Sequence, residues 1–153
     1  MFRRRIIEPL KNQLKQGVTP GKLALALALG LVIGSVPILF VTSLLCALVA
    51  YVFKLNQPAI QVANYVAYPL QLALFIPFFK AGAAVFGESG AHFSLEQIQS
   101  AFSADASRAI GTYAGANLRA VSVWAVIAPL AVVVIFFALK FLLSRVRLPA
   151  REA

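Results

Sequence analysis

The sequence predicts an all-α integral membrane protein with one re-entrant helical hairpin, two spanning kinked helices and short interfacial helices. Three observations carry this expectation. The 153 residues are 61 % hydrophobic and only 12 % charged, whereas water-soluble domains need about 25 % charged residues to coat their surface. Formal charges are missing from 31 consecutive residues between Lys22 and Lys54, from 25 between Lys54 and Lys80, and from 20 between Arg119 and Lys140. A helix needs about 20 apolar residues to cross the hydrocarbon core. Basic residues crowd the flanks: Arg3, Arg4, Arg5, Lys11, Lys15 and Lys22 before the first stretch, and Lys140, Arg145, Arg147 and Arg151 after the last. A net charge of +9 distributed in this way fits anionic lipid head groups at a bilayer surface, not nucleic acid.

Residues 1–16 form a basic segment with Ile6, Ile7, Leu10 and Leu14 near helical spacing, expected to lie amphipathically on the surface. The remainder, 17–153, reads as a single membrane domain. Thr19-Pro20 supplies an N-cap and an N1 proline for the next helix. From Leu23 to Phe53 a straight helix would measure about 46 Å, against a hydrocarbon core of about 30 Å. Gly34-Ser35-Val36-Pro37 in its middle breaks or bends a helix. Two short arms folded into a hairpin fit better than one span. Cys46 stands alone in this stretch, which excludes an intramolecular disulfide, and a buried free thiol acts as a small hydrophobe.

Asn56-Gln57-Pro58 opens the second stretch, 55–79, and Tyr68-Pro69 should kink or split it. Gln57, Gln61, Asn64, Tyr68 and Gln71 recur at spacings of 4, 3, 4 and 3, which places them along one helix face. Lipid would penalise such a stripe, so it faces protein, water or a ligand head group. Polar contact between helices and a functional lining both remain open.

Residues 80–119 are small, polar and nearly neutral, and are expected outside the membrane. Within them Ser94-Leu95-Glu96-Gln97 matches a capping box, with Leu95, Ile98 and Phe102 on one face of a short interfacial helix. The last stretch, 120–143, has Trp124 near one interface and Pro129 as a potential kink. Gly30 with Gly34, and Gly111 with Gly115, have a spacing that permits close backbone approach.

The positive-inside rule places both basic ends in the cytoplasm and residues 80–119 outside. Three complete crossings would separate the ends, so one stretch must turn back. The first is preferred, because a hairpin returning at Phe53 also leaves Lys54 on the cytoplasmic side. The rival folds 55–79 at Tyr68-Pro69 and strands Lys54 outside. A hairpin tip inside lipid needs cover, which two spanning helices cannot supply on all sides, so a homo-oligomer is expected.

The membrane stretches contain no acidic residue, so the carboxylate relay of many proton-driven carriers is missing. Glu88, His92 and Glu96 have i, i+4, i+8 spacing, but Gly90 and the Ser94 cap oppose one continuous helix there, and a solvated loop is the better reading. No nucleophile elbow, P-loop or dinucleotide fingerprint occurs. Neither catalytic residues nor a metal or cofactor are expected, and the protein is not read as an enzyme.

Residues 17–79 resemble a bacterial membrane family catalogued as DUF2062. The resemblance rests on Gly17-Val18-Thr19-Pro20 leading into Lys22-Leu23-Ala24, on Gly30, Gly34 and Pro37, on Leu55-Asn56-Gln57-Pro58, and on Asn64-Tyr65, Tyr68-Pro69-Leu70 and Ile76-Pro77-Phe78. It implies a multi-pass protein of the bacterial inner membrane. Some members of that family are joined to glycosyltransferase domains, which implies an envelope glycosyltransferase as partner and lipid-linked sugars or polyprenyl phosphates as context. Two functions follow as expectations. One is transport or handling of a phosphorylated lipid carrier or small anion, lined by Gly34, Ser35, Pro37, Lys54, Asn56, Gln57, Gln61, Asn64, Tyr68, Gln71 and Lys80, since half-helix ends inside a membrane are ready ligand sites. The other is a non-transporting anchor or scaffold for an envelope glycan enzyme.

Overall fold

A computed structural model of the chain describes residues 19–38, 41–88 and 94–145. The expected amphipathic segment 1–16 and His92 lie outside the described residues. Six helices and no strand occur among those residues: α1 (Pro20–Gly34), α2 (Thr42–Val52), α3 (Gln57–Val66), α4 (Tyr68–Val85), α5 (Leu95–Ala104) and α6 (Ala106–Arg145).

Helix starts follow local chemistry. Thr19 is extended and its side chain accepts from the Lys22 amide at 3.3 Å, with Pro20 in the first turn. Asn56 does the same for α3, accepting from Ala59 N–H at 2.9 Å ahead of Pro58. Ser94 accepts from Gln97 N–H at 3.2 Å, and Asp105 from Arg108 N–H at 3.1 Å. Each side-chain oxygen satisfies an amide that has no partner inside its own helix.

The first apolar stretch is broken where Gly34 and Pro37 stand. α1 ends at Gly34, and Ser35 to Ile38 form a tight irregular turn held by Ser35 N–H on Val32 O and Val36 N–H on Ile33 O, both at 3.1 Å. Pro37 has no N–H with which to continue the ladder. The second stretch is split at Ala67, one residue before Tyr68-Pro69, so Pro69 sits in the first turn of α4 where its missing N–H is harmless. Pro77 and Pro129 are accommodated inside α4 and α6.

α1 is the central helix, with α2, α3 and α6 around it and its closest partnership with α3. Its small residues explain this: Ala24, Ala26 and Ala28 are fully buried. Gly30 faces Ile60 and Ala63, and Gly34 faces Asn64 and Ala67. The matched numbers rise together, so α1 and α3 run parallel, with Leu23 level with Leu55 in one apolar cluster that also holds Ile33, Cys46, Ala50 and Ile60. α2 returns antiparallel alongside both. α6 runs antiparallel to α1, since Ser35 meets Trp124 and Pro37 meets Asn117, while Leu143 packs against the cluster. α4 leaves the break and packs on α6 through Phe79, Ala116 and Ala120, its backbone approaching closely at Gly82.

α6 has 40 residues, a rod of about 60 Å. Hydropathy alone marks its apolar part from Ala120, but the helix begins at Ala106. Its first turns carry α5, where Phe102 stacks on Tyr113 with ring centroids 5.8 Å apart, and an ion pair joins Arg119 to Glu88. Two helices are long and apolar enough to cross a membrane, Tyr68–Val85 with mean hydropathy 1.3 and Ala106–Arg145 with 2.7 over its most apolar 18 residues. Only 6 % of the most apolar window of α6 is buried, the opposite of what the core helix of a soluble protein shows.

Candidate functional site: the braced helix break

Between Ser35 and Ile38 the backbone leaves helical geometry in the interior of the bundle, and Ser35, Val36 and Pro37 are buried. Carbonyls buried there cost about 1–3 kcal/mol each if no donor reaches them. Donors reach them from two other helices. The Gln71 carboxamide on α4 is 2 % exposed and donates through Nε2 to Val36 O at 2.8 Å and to Ile38 O at 2.9 Å. Asn117 on α6 donates from Nδ2 to Pro37 O. Ser35 donates its hydroxyl to Val32 O at 2.7 Å and accepts from Trp124 Nε1 at 3.3 Å. Trp124 is therefore held against the break.

The rest of the stripe turns to α2. Gln57 Nε2 donates to Ala47 O at 2.9 Å and Gln61 Nε2 to Ser43 O at 2.9 Å, while Asn64 Nδ2 donates to Ser43 Oγ at 3.2 Å. These amides, one helical turn apart on α3, tie the returning arm of the hairpin to its neighbour. Among the described residues Gln61 Oε1 is a buried polar atom that meets no partner.

The expected lining residues thus divide. Gly34, Ser35, Pro37, Gln57, Gln61, Asn64 and Gln71 come together at the break and along α2. Asn56 caps α3. Tyr68 is half exposed at the start of α4, outside the network. Lys54 and Lys80 are exposed. Lys54 lies some 10 to 13 residues below Asn64 and Ala67 along α3, roughly 15–20 Å from the break, and Lys80 lies nine residues beyond Gln71, roughly 13 Å away along α4. Sequence reasoning missed Ser43, Asn117 and Trp124. An asparagine and a lone tryptophan in a small-residue helix were the available signal, but their partners are 80 and 89 positions away and leave no periodic trace. No group of three His, Cys, Asp or Glu side chains able to hold a metal occurs among the described residues.

An all-helical bundle with two apolar helices of crossing length, knit by side-chain amides around an interior break, defines the class as a small helical protein with candidate membrane spans. The family model described as "Uncharacterized protein conserved in bacteria (DUF2062)" matches residues 3–151, nearly the whole chain and well beyond 17–79. The chain belongs to the DUF2062 family. No curated protein and no solved structure matches it.

Proposed function

We propose that this protein is a non-transporting scaffold of the bacterial inner membrane, a rigid helical anchor for an envelope enzyme of glycan assembly, without catalytic chemistry of its own. The observation that carries this reading is the engagement of the stripe: the carboxamides of Gln57, Gln61, Asn64 and Gln71 all donate to α2 or to the break. A path for a phosphorylated lipid or anion would need donors turned toward a cavity. Here they brace the fold.

In the same proposal α1 and α2 form the re-entrant hairpin. From Lys22 to the break is 13 residues, a depth of about 20 Å, short of the core thickness of about 30 Å. α3 and α4 make one bent crossing and α6 the other, with both basic ends cytoplasmic. The carbonyls of Val36, Pro37 and Ile38 are answered within the chain, and lipid can cover the apolar outer face of α2, so the hairpin tip does not require a second copy.

Reconstitution into liposomes with labelled polyprenyl phosphate discriminates this reading from transport. The expected result is leaflet exchange no faster than in empty liposomes. Protein-dependent exchange that Gln61→Leu or Asn64→Leu abolishes would establish the carrier instead.

A further inference from the structure

The fold sorts charge between its two ends in a way that sequence order conceals. The parallel register of α1 and α3 puts Lys22 level with Lys54, and the antiparallel register of α6 brings Lys140 to within about a turn of the same level. Arg145 follows. Lys22, Lys54, Lys140 and Arg145 are all exposed, and no acidic residue among the described ones shares their end. At the other end Lys80, Arg108 and Arg119 are matched by Glu88, Glu96 and Asp105, three against three, with Arg119 and Glu88 in direct contact. Two helix N-termini (α1, α3) and two C-termini (α2, α6) meet at the basic end, so the helix dipoles largely cancel there and the field is that of the side chains. Lys140 lies 5.7 Å from the centroid of the Phe136 ring and Arg145 4.3 Å from that of Phe141, which holds both cations beside the apolar surface of α6.

Lys54 is the informative member. It ends α2 in the left-handed conformation with φ 51°, the one non-glycine residue with positive φ among those described. Leu55 N–H closes the turn on Ala50 O at 2.8 Å. Glycine, or failing that asparagine, is the residue such a helix terminus favours, because a Cβ is strained there. A lysine at this point weakens the fold while carrying a cation to the hairpin's return turn, level with Lys22.

We propose that the Lys22–Lys54–Lys140–Arg145 end is a binding surface for anionic phospholipid head groups, with Lys54 a phosphate ligand held at the expense of local stability. The proposal rests on the membrane reading above and identifies the lipid class at that surface. Its test uses the full chain in nanodiscs of phosphatidylcholine alone or mixed with phosphatidylglycerol, reading the thermal unfolding midpoint and the lipids retained in native mass spectra. The wild type is expected to unfold at a higher temperature in the anionic discs and to retain phosphatidylglycerol selectively. Lys54→Gly is expected to raise the midpoint in phosphatidylcholine by about 2–4 °C, because the strain is gone. It should also weaken phosphatidylglycerol retention by about fivefold, the effect of one basic side chain near such a surface. Lys54→Arg should keep both wild-type properties, and Lys80→Gln should leave retention unchanged.

Retention in Lys54→Gly equal to the wild type would overturn the proposal and leave Lys54 a plain helix terminator. Stabilisation of the wild type by inorganic phosphate as strong as that by anionic discs would overturn it too, since the site would then serve a free anion. Failure of the chain to enter nanodiscs at all would instead refute the membrane reading.

Discussion

Gly34→Val is expected to leave little folded protein recovered in mild detergent. A Cβ at this position would lie 2.7 Å from Ala67 Cβ and 2.9 Å from Asn64 O. The obstructing atoms belong to backbone or to a side chain with no freedom to move, so α1 and α3 must separate. Separation would strip Gln61 and Asn64 from Ser43 and loosen the break at the same time. Overpacking of this kind costs about 1–3 kcal/mol, and more where backbone must shift. Gly30, whose Cβ would run into the Ile60 carbonyl oxygen as well as meet Ala63 Cβ at 2.7 Å, should be at least as sensitive. The second Gly-xxx-Gly pair gives the contrast. A Cβ added at Gly111 or Gly115 would meet nothing within 4 Å, so Gly111→Ala and Gly115→Ala should each stabilise the helix by about 0.5–1 kcal/mol. Size-exclusion profiles and unfolding midpoints of the four variants would check both halves of this expectation.

Gln71→Leu is expected to have the largest effect of any polar substitution. Leucine fills a similar space yet leaves the buried Val36 O and the part-buried Ile38 O without the donor they share. At about 1–3 kcal/mol for each unsatisfied group, the loss is roughly 2–5 kcal/mol. Asn117→Leu frees Pro37 O alone and should cost less. The double variant should lose less than the sum of the two, because a turn already released by one substitution gains little further freedom from the other. Unfolding midpoints from tryptophan fluorescence suit this series, since Trp124 touches Ser35 in the turn itself.

What could be read in the sequence was local. Thr19-Pro20, Asn56-Gln57-Pro58 and Ser94 announce helix starts through caps that act within three residues, and Gly34 with Pro37 announces an interruption that no side chain elsewhere is needed to create. Gln57, Gln61 and Asn64 were legible as one face of α3, because helical periodicity alone sets it, whereas the split at Ala67 puts Gln71 on a second helix and leaves Tyr68 outside the network. The partners of these amides were not legible. Whether an amide in an apolar helix meets lipid phosphate or a neighbouring carbonyl depends on which helix lies opposite, and that is decided by Gly30 and Gly34 admitting α3, and by α6 descending past the break. The beginning of α6 departs from expectation for a related reason. Residues 106–119 are small and polar and resemble a loop in composition, yet the Asp105 cap starts a helix there, and contacts with α4 and α5 support it. Lys54 was visible only as a charge. Its left-handed backbone became apparent once the return turn had a shape.

Side-specific thiol labelling distinguishes a hairpin in the first apolar stretch from a complete crossing. In a Cys46→Ala background, single cysteines at Phe53, Ser94 and Ser144 report the return turn of the hairpin, the segment before α5 and the end of α6. Phe53→Cys and Ser144→Cys are expected to react only with reagents that reach the cytoplasm, and Ser94→Cys only with reagents applied from outside. Phe53→Cys reacting from the same side as Ser94→Cys would rule out the hairpin, because the first apolar stretch would then cross the membrane.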